Sequence, residues 1–197
     1  MQRGRNADIK VPVALSCATE SNEARLISRI VEGDRHAFDI LYRCYFPRLT
    51  RFLNRMTRSA QLIEEIVNDT MLVVWQRGHT YDLSSKVSTW IFAITYRKAL
   101  KAIRGSDEPV ESDFDECPGE VAHEPEHAFT TQQLQQAVGL ALDALPMEQR
   151  MVVSLTYYHG MGYGEIAEIM ECPVNTVKTR MFYARRRLKT LLSGQLE

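Results

Sequence analysis

Apolar residues recur along this chain at alternating steps of three and four, and no run alternates with period two. That pattern predicts helices throughout and no strand. Residues 1–19 carry no helical period and read as a mobile arm. Leu26, Ile27 and Ile30 then mark a helix over 22–32, with Ser21 placed to cap it and Gly33 to end it. Asp34 starts a second helix, from 35 to about 58, whose inward set is Phe38, Leu41, Tyr42, Tyr45, Leu49, Phe52, Leu53 and Met56. Pro47 lies inside it and is expected to kink or split it. A third helix, 59–77, has the wide apolar face Leu62, Ile63, Ile66, Val67, Thr70, Val73 and Val74, and stops at Gly78. Residues 79–86 read as a loop with Ser84 and Ser85 as candidate caps, and a fourth helix over 87–104 turns Trp90, Ile91, Ile94 and Ala99 inward.

The second half opens with a helix over 130–145, separated by Leu145-Pro146 from three further helical patterns that the breaks HGMG and ECP divide. The middle pattern, 163–170, is short and buries Ile166, Ala167 and Met170. Gly162 stands at its N-cap, and Glu165 three residues on reaches back in half a capping box. Cys172-Pro173 stops it, because proline disfavours helical geometry in the residue before it while fitting the first turn of a new helix. In the last helix Val174, Val177, Met181, Ala184, Leu188 and Leu191 form one apolar stripe, and Asn175, Lys178, Thr179, Phe182 and Arg186 share another face. A short helix, a tight turn and a longer two-faced basic helix read as a helix-turn-helix, whose second helix enters the major groove.

Charge changes the picture of what joins the halves. The chain has 197 residues and a formal charge of −1, which by itself argues against a nucleic-acid partner. Nine carboxylates and no Lys or Arg lie within 105–128, however, and with those set aside the rest of the chain stands at +8. The expectation is an all-α chain of two small helical domains joined by an acidic flexible linker: arm 1–20, first domain 21–104, linker 105–129, helix-turn-helix domain 130–197. Cys17, Cys44, Cys117 and Cys172 are scattered and fit neither a disulfide framework nor a zinc knuckle. The apolar run VPVAL is too short for a signal core or a membrane span, so the expected setting is the cytoplasm, without membrane insertion.

The run LPMEQRMVV…GYGEIAEIM…CPVNTVKTRMFYARRRLKTLL resembles the minus-35-reading domain of extracytoplasmic-function (ECF) sigma factors, the small alternative specificity subunits of bacterial RNA polymerase. The first half carries the resemblance too. EEIVNDTMLVVWQ is similar to the helix with which that family grips the β′ clamp helices of the polymerase. Where the family commonly has D-L-V-Q-E, this chain has Glu65, Ile66, Val67, Asn68 and Asp69, with Asn68 shorter than the Gln it replaces. TYDLSSKVSTWIFAITYRKALKAIR resembles the family's minus-10 reader, in which rings stack on bases of the opened strand beside cations that track phosphates.

The resemblance implies no catalysis and no cofactor. It implies core polymerase (β′ clamp helices and β flap), promoter DNA and an anti-sigma factor as partners. Core-polymerase contacts fall on Glu65, Asn68 and Asp69, and minus-10 contacts on Tyr81, Trp90, Arg97, Lys98 and Lys101. Minus-35 contacts fall on Asn175, Lys178, Thr179, Phe182 and Arg186, with Arg185 and Lys189 on phosphates. Bland readings stand beside these. An acidic helix stripe is commonly a solvated face, and a Trp spaced with Ile serves a core as readily as a base. The main rival is a stand-alone helix-turn-helix regulator with an N-terminal sensor domain. His123-Glu124-Pro125-Glu126-His127 satisfies H-E-x-x-H formally, but Pro125 interrupts the helical face that zinc would need, so no metal site is expected.

Overall fold

The computed structural model describes residues 20–105 and 125–193, and all regular structure among them is helical. The first unit comprises α1 (Glu20–Val31), α2 (Arg35–Leu53), α3 (Ala60–Arg77) and α4 (Val87–Gly105), with a short 3-10 turn at Gly78–Thr80 after α3. The second comprises α5 (Pro125–Asp143), α6 (Met147–Tyr157), α7 (Tyr163–Ile169) and α8 (Val174–Ser193). The expected arm and most of the expected linker, with Cys17, Cys117 and His123, lie outside the described residues.

Local chemistry accounts for the boundaries. Gly33 adopts φ +89, a left-handed conformation suited to glycine, and ends α1 by donating its N–H to the Ile30 carbonyl at 2.9 Å. Asp34 caps α2, its Oδ1 accepting from the N–H groups of His36 and Ala37 at 2.8 and 3.1 Å. Those bonds to the ionised form, that of Ala37 foremost, together with Arg29, hold the Asp34 carboxyl below the usual carboxylate range. Ser59 caps α3 by accepting from Leu62 N–H at 3.2 Å.

Several expectations need correction. Pro47 does not split α2, which runs through it and ends at Leu53, five residues early. A proline removes a single ladder donor, and Tyr45, Leu49, Phe52 and Leu53, all fully buried around it, outweigh that loss. Ser21 lies inside the first turn of α1 rather than at its cap. Helix α5 begins at Pro125, five residues before the expected start, because proline fits a first turn without wasting a donor. His127 is therefore helical beyond Pro125. Cys44 is half-buried on α2, and Cys172 is a free thiol.

Packing is the larger surprise. Helices α1, α2, α3 and α4 pack consecutively, and α6 and α7 pack on α8. In addition α4 lies against α7 and α2 touches α6, so one apolar cluster runs without a break from Leu26 to Ala184. The two units share a core rather than owning one each. Near α1, Glu23 is buried with its carboxylate accepting from Tyr45 Oη at 2.8 Å and paired with Arg48 at 3.2 Å. A buried charge of this kind persists only because both oxygens are partnered.

Candidate nucleic-acid interface

Helix α8 presents the face that its sequence predicts. Val177, Met181 and Ala184 are buried against α6 and α7. Asn175, Lys178, Thr179, Phe182, Arg185, Arg186 and Lys189 are all exposed. Phe182 keeps 62% of its surface and packs only edge-on to Tyr183, ring centroids 5.5 Å apart. A large ring left in water on a basic helix has no folding rationale and is suited to a thymine methyl or a sugar. Tyr183, half exposed beside it, is a further candidate for such a contact that sequence patterning does not single out, because it sits between the two stripes. Val174 departs from the expected apolar stripe and is exposed at the helix start. Arg185 donates to Tyr157 Oη at 2.9 Å and lies over that ring, so it is oriented from α6. Thr179 Oγ1 donates to the Asn175 carbonyl at 2.9 Å.

The turn before α8 is built as expected. Glu165 Oε2 accepts from the Gly162 N–H at 2.8 Å, which fixes the start of α7. Glu171 takes φ +50 at the end of α7, and Pro173 accepts at its carbonyl from the Thr176 and Val177 N–H groups as α8 begins.

On the first unit, Tyr81 and Trp90 stack at 5.4 Å between centroids, tilted by 41°, each half-buried. The loop between them is closed by Tyr81 Oη donating to the Ser85 carbonyl at 2.7 Å and Ser84 N–H donating to Asp82 Oδ1 at 3.0 Å. Ser84 and Ser85 thus shape the loop, and Leu83 stands exposed at φ +63. Arg97 and Lys101 are exposed about two and three turns further along the Trp90 side of α4. Phe92 and Tyr96, read in sequence as part of the same aromatic-basic series, are buried and belong to the core.

The residues expected to bind core polymerase gather on α3. Glu65, Asn68 and Asp69 are exposed side by side. Tyr42 Oη donates to Asn68 Oδ1 at 2.8 Å, and Lys98 Nζ lies 2.9 Å from Asp69 Oδ2. The structure therefore joins Lys98, expected to face DNA, to a residue expected to face protein. Beside them runs an apolar groove lined by Phe38, Tyr42, Leu72 and Trp75, in which Leu72 is half exposed. The sequence reading had assigned Phe38 and Tyr42 to the core; an inward-pointing residue at the edge of a two-helix layer lines a groove instead. Among the described residues no His, Cys, Asp and Glu are grouped for a metal ion, and no helix is long and apolar enough to cross a membrane.

Comparison with known proteins gives these faces a setting. Residues 41–108 match the family described as Sigma-70 region 2, and residues 135–188 match Sigma-70, region 4. The RNA polymerase sigma-H factor of Pseudomonas aeruginosa is 26% identical over 188 residues, covering 90% of this chain and 97% of its own. The ECF RNA polymerase sigma-E factor of Escherichia coli K12 is 28% identical over 170 residues, covering 81% and 88%. Among solved structures, CnrH in complex with the cytosolic domain of CnrY superposes with a TM-score of 0.63 at 20% identity, over 88% of this chain and 98% of that one. The sigma factor RpoE of Bartonella quintana, in complex with the anti-sigma factor NepR, superposes at 0.61 and 24% identity, over 75% and 91%. These two share the fold. Two regions of one family, in order and on opposite sides of an acidic segment, remove the stand-alone regulator from consideration. The chain belongs to the ECF sigma factors, alternative sigma factors that direct promoter-specific transcription.

Proposed function

We propose that the protein divides promoter recognition between two faces and carries out no chemistry of its own. The observation that carries this reading is the exposed face of α8, where Phe182 stands in water among Asn175, Lys178, Thr179 and Arg186. Lys178, Thr179 and Arg186 meet base edges of the minus-35 element in the major groove, while Arg185 and Lys189 lie toward phosphates. The Tyr81–Trp90 stack, with Arg97 and Lys101 behind it, holds bases and phosphates of the opened minus-10 strand. Lys98 serves that strand only after leaving Asp69.

Glu65, Asn68 and Asp69, with the adjoining groove, take the β′ clamp helices of core polymerase, and the second unit takes the β flap. An anti-sigma factor is a further partner, in keeping with the complexes in which the structural relatives were solved. The site of action is the cytoplasm, where polymerase and promoters meet. The test is transcription in vitro from a library of random promoters with core polymerase. Added protein should select templates sharing two separated elements. Templates selected equally well by core enzyme alone would refute the reading.

A further inference from the structure

Arg185 is held on α8 by a neutral partner. Its Nη2 donates to Tyr157 Oη at 2.9 Å, and its guanidinium carbon lies 5.9 Å from the centre of that ring. Arg180, five residues earlier on the same helix, is held instead by a carboxylate, Glu148 at 2.6 Å. No carboxylate pairs with Arg185 among the described residues. Tyr157 is the last residue of α6 and keeps 61% of its surface, so burial explains neither its ring nor its hydroxyl.

An arginine and a tyrosine that meet on a surface are commonly incidental neighbours. The choice of acceptor argues otherwise here. A carboxylate orders a guanidinium but cancels its charge, and a phosphate must then displace it. A phenol accepts one N–H without opposing charge, which leaves the other donors and the whole positive charge to an incoming phosphate. Fixing the long side chain beforehand also removes rotamer freedom that binding would otherwise have to freeze.

The hydroxyl has a second use. Its oxygen accepts from Arg185, so its own proton remains available as a donor. The two groups stand 2.9 Å apart, and a single phosphate reaches both. Tyr157 belongs to α6 and Arg185 to α8, so the phosphate is gripped from two helices at once.

We propose that Tyr157 and Arg185 form a clamp for one backbone phosphate of the minus-35 duplex, in which Tyr157 sets the guanidinium and adds its own O–H. The proposal rests on the reading of α8 as the minus-35 face and brings α6, outside the helix-turn-helix, into the interface.

The test uses holoenzyme containing the full chain, on a duplex promoter that it selects and on the same promoter with a scrambled minus-35 element. Affinity is measured over a range of salt. Tyr157→Phe keeps the ring and removes both acceptor and donor. It should weaken both templates alike, by about threefold to tenfold, the worth of one hydrogen bond, with the salt slope kept because Arg185 stays charged. Tyr157→Glu should lower the slope by about one contact, as Arg185→Ala does, because the guanidinium is then neutralised before DNA arrives. In an Arg185→Ala background most of the Tyr157→Phe loss should vanish. Thermal unfolding of Tyr157→Phe should match wild type.

Wild-type affinity in Tyr157→Phe, or the same loss with and without Arg185, overturns the clamp. A loss that comes with a lowered unfolding temperature also overturns it, by assigning Tyr157 to the fold. Wild-type affinity and slope in Arg185→Ala would remove Arg185 from the phosphates, and so overturn that part of the α8 reading together with the clamp.

Discussion

The imidazole of His159 stands 4.8 Å from the ring of Phe92, centroid to centroid and inclined at 61°, and its Nε2 has no hydrogen-bond partner among the described residues. Burial, then the guanidiniums of Arg48 and Arg51, push its pKa from 6.5 down to about 4. On α2 those two arginines face it with Phe52; on α4 it meets Phe92. The ring is therefore neutral when packed. Between pH 6.5 and 4 the displaced ring binds a proton that the packed ring refuses, so stability rises with pH across that window and is lost as pH falls through it. The loss is at most about 3 kcal/mol. Thermal unfolding and scattering followed from pH 7.5 to 4 should show loosening that His159→Phe flattens. An unchanged pH profile in that variant would assign the titration elsewhere.

Lys178→Ala should weaken promoters that depend on the minus-35 element by about 1–3 kcal/mol, the worth of one good base contact. Lys189→Ala should weaken all promoters alike, as a phosphate contact does. Footprinting of holoenzyme on a promoter and on its scrambled minus-35 version separates the two. Equal losses on both templates for Lys178→Ala would remove that residue from base readout.

Reversing charge at Glu65 and Asp69 should reduce capture of core polymerase while leaving helical content intact. Both side chains are exposed, so the fold has little stake in them. The Asp69–Lys98 pair is lost as well, but an exposed pair contributes only about 0–1 kcal/mol. Pull-down of core by the reversed protein at wild-type levels would disprove the assignment of α3.

Trp90→Ala should impair promoter opening more than core binding, since base stacking is worth about 1–3 kcal/mol per base. Because Trp90 is half-buried against Tyr81, some stability goes with it. Trp90→Phe, which keeps a ring, should recover most of the opening activity. Permanganate reactivity of the melted thymines reads the effect directly.

How far the chain was legible follows from these residues. Helix positions, the cap at Asp34 and the two faces of α8 were visible because each rests on contacts between neighbours in sequence. The continuous core was not. Period alone says that Phe92 and Tyr96 lie on a ring-bearing side of α4, and nothing local says that α7 and His159 will cover it. The same holds for the Phe38–Trp75 groove, which exists only where two helices diverge. Lys98 is the clearest case: sequence grouped it with Arg97 and Lys101, and space gave it to Asp69.

The hydrogen bond from Tyr42 to Asn68 has one more consequence. With its carbonyl oxygen occupied, the Asn68 amide turns its NH2 outward as a donor, flanked by the carboxylates of Glu65 and Asp69, which when ionised only accept. A surface complementary to this stretch of α3 must alternate in the opposite sense, with a cation, a carbonyl or carboxylate acceptor, and a second cation. A longer glutamine at position 68 would be free to rotate and satisfy either polarity. On the proposed reading of α3, the shorter, tethered asparagine makes the polarity of the partner's middle group part of the recognition.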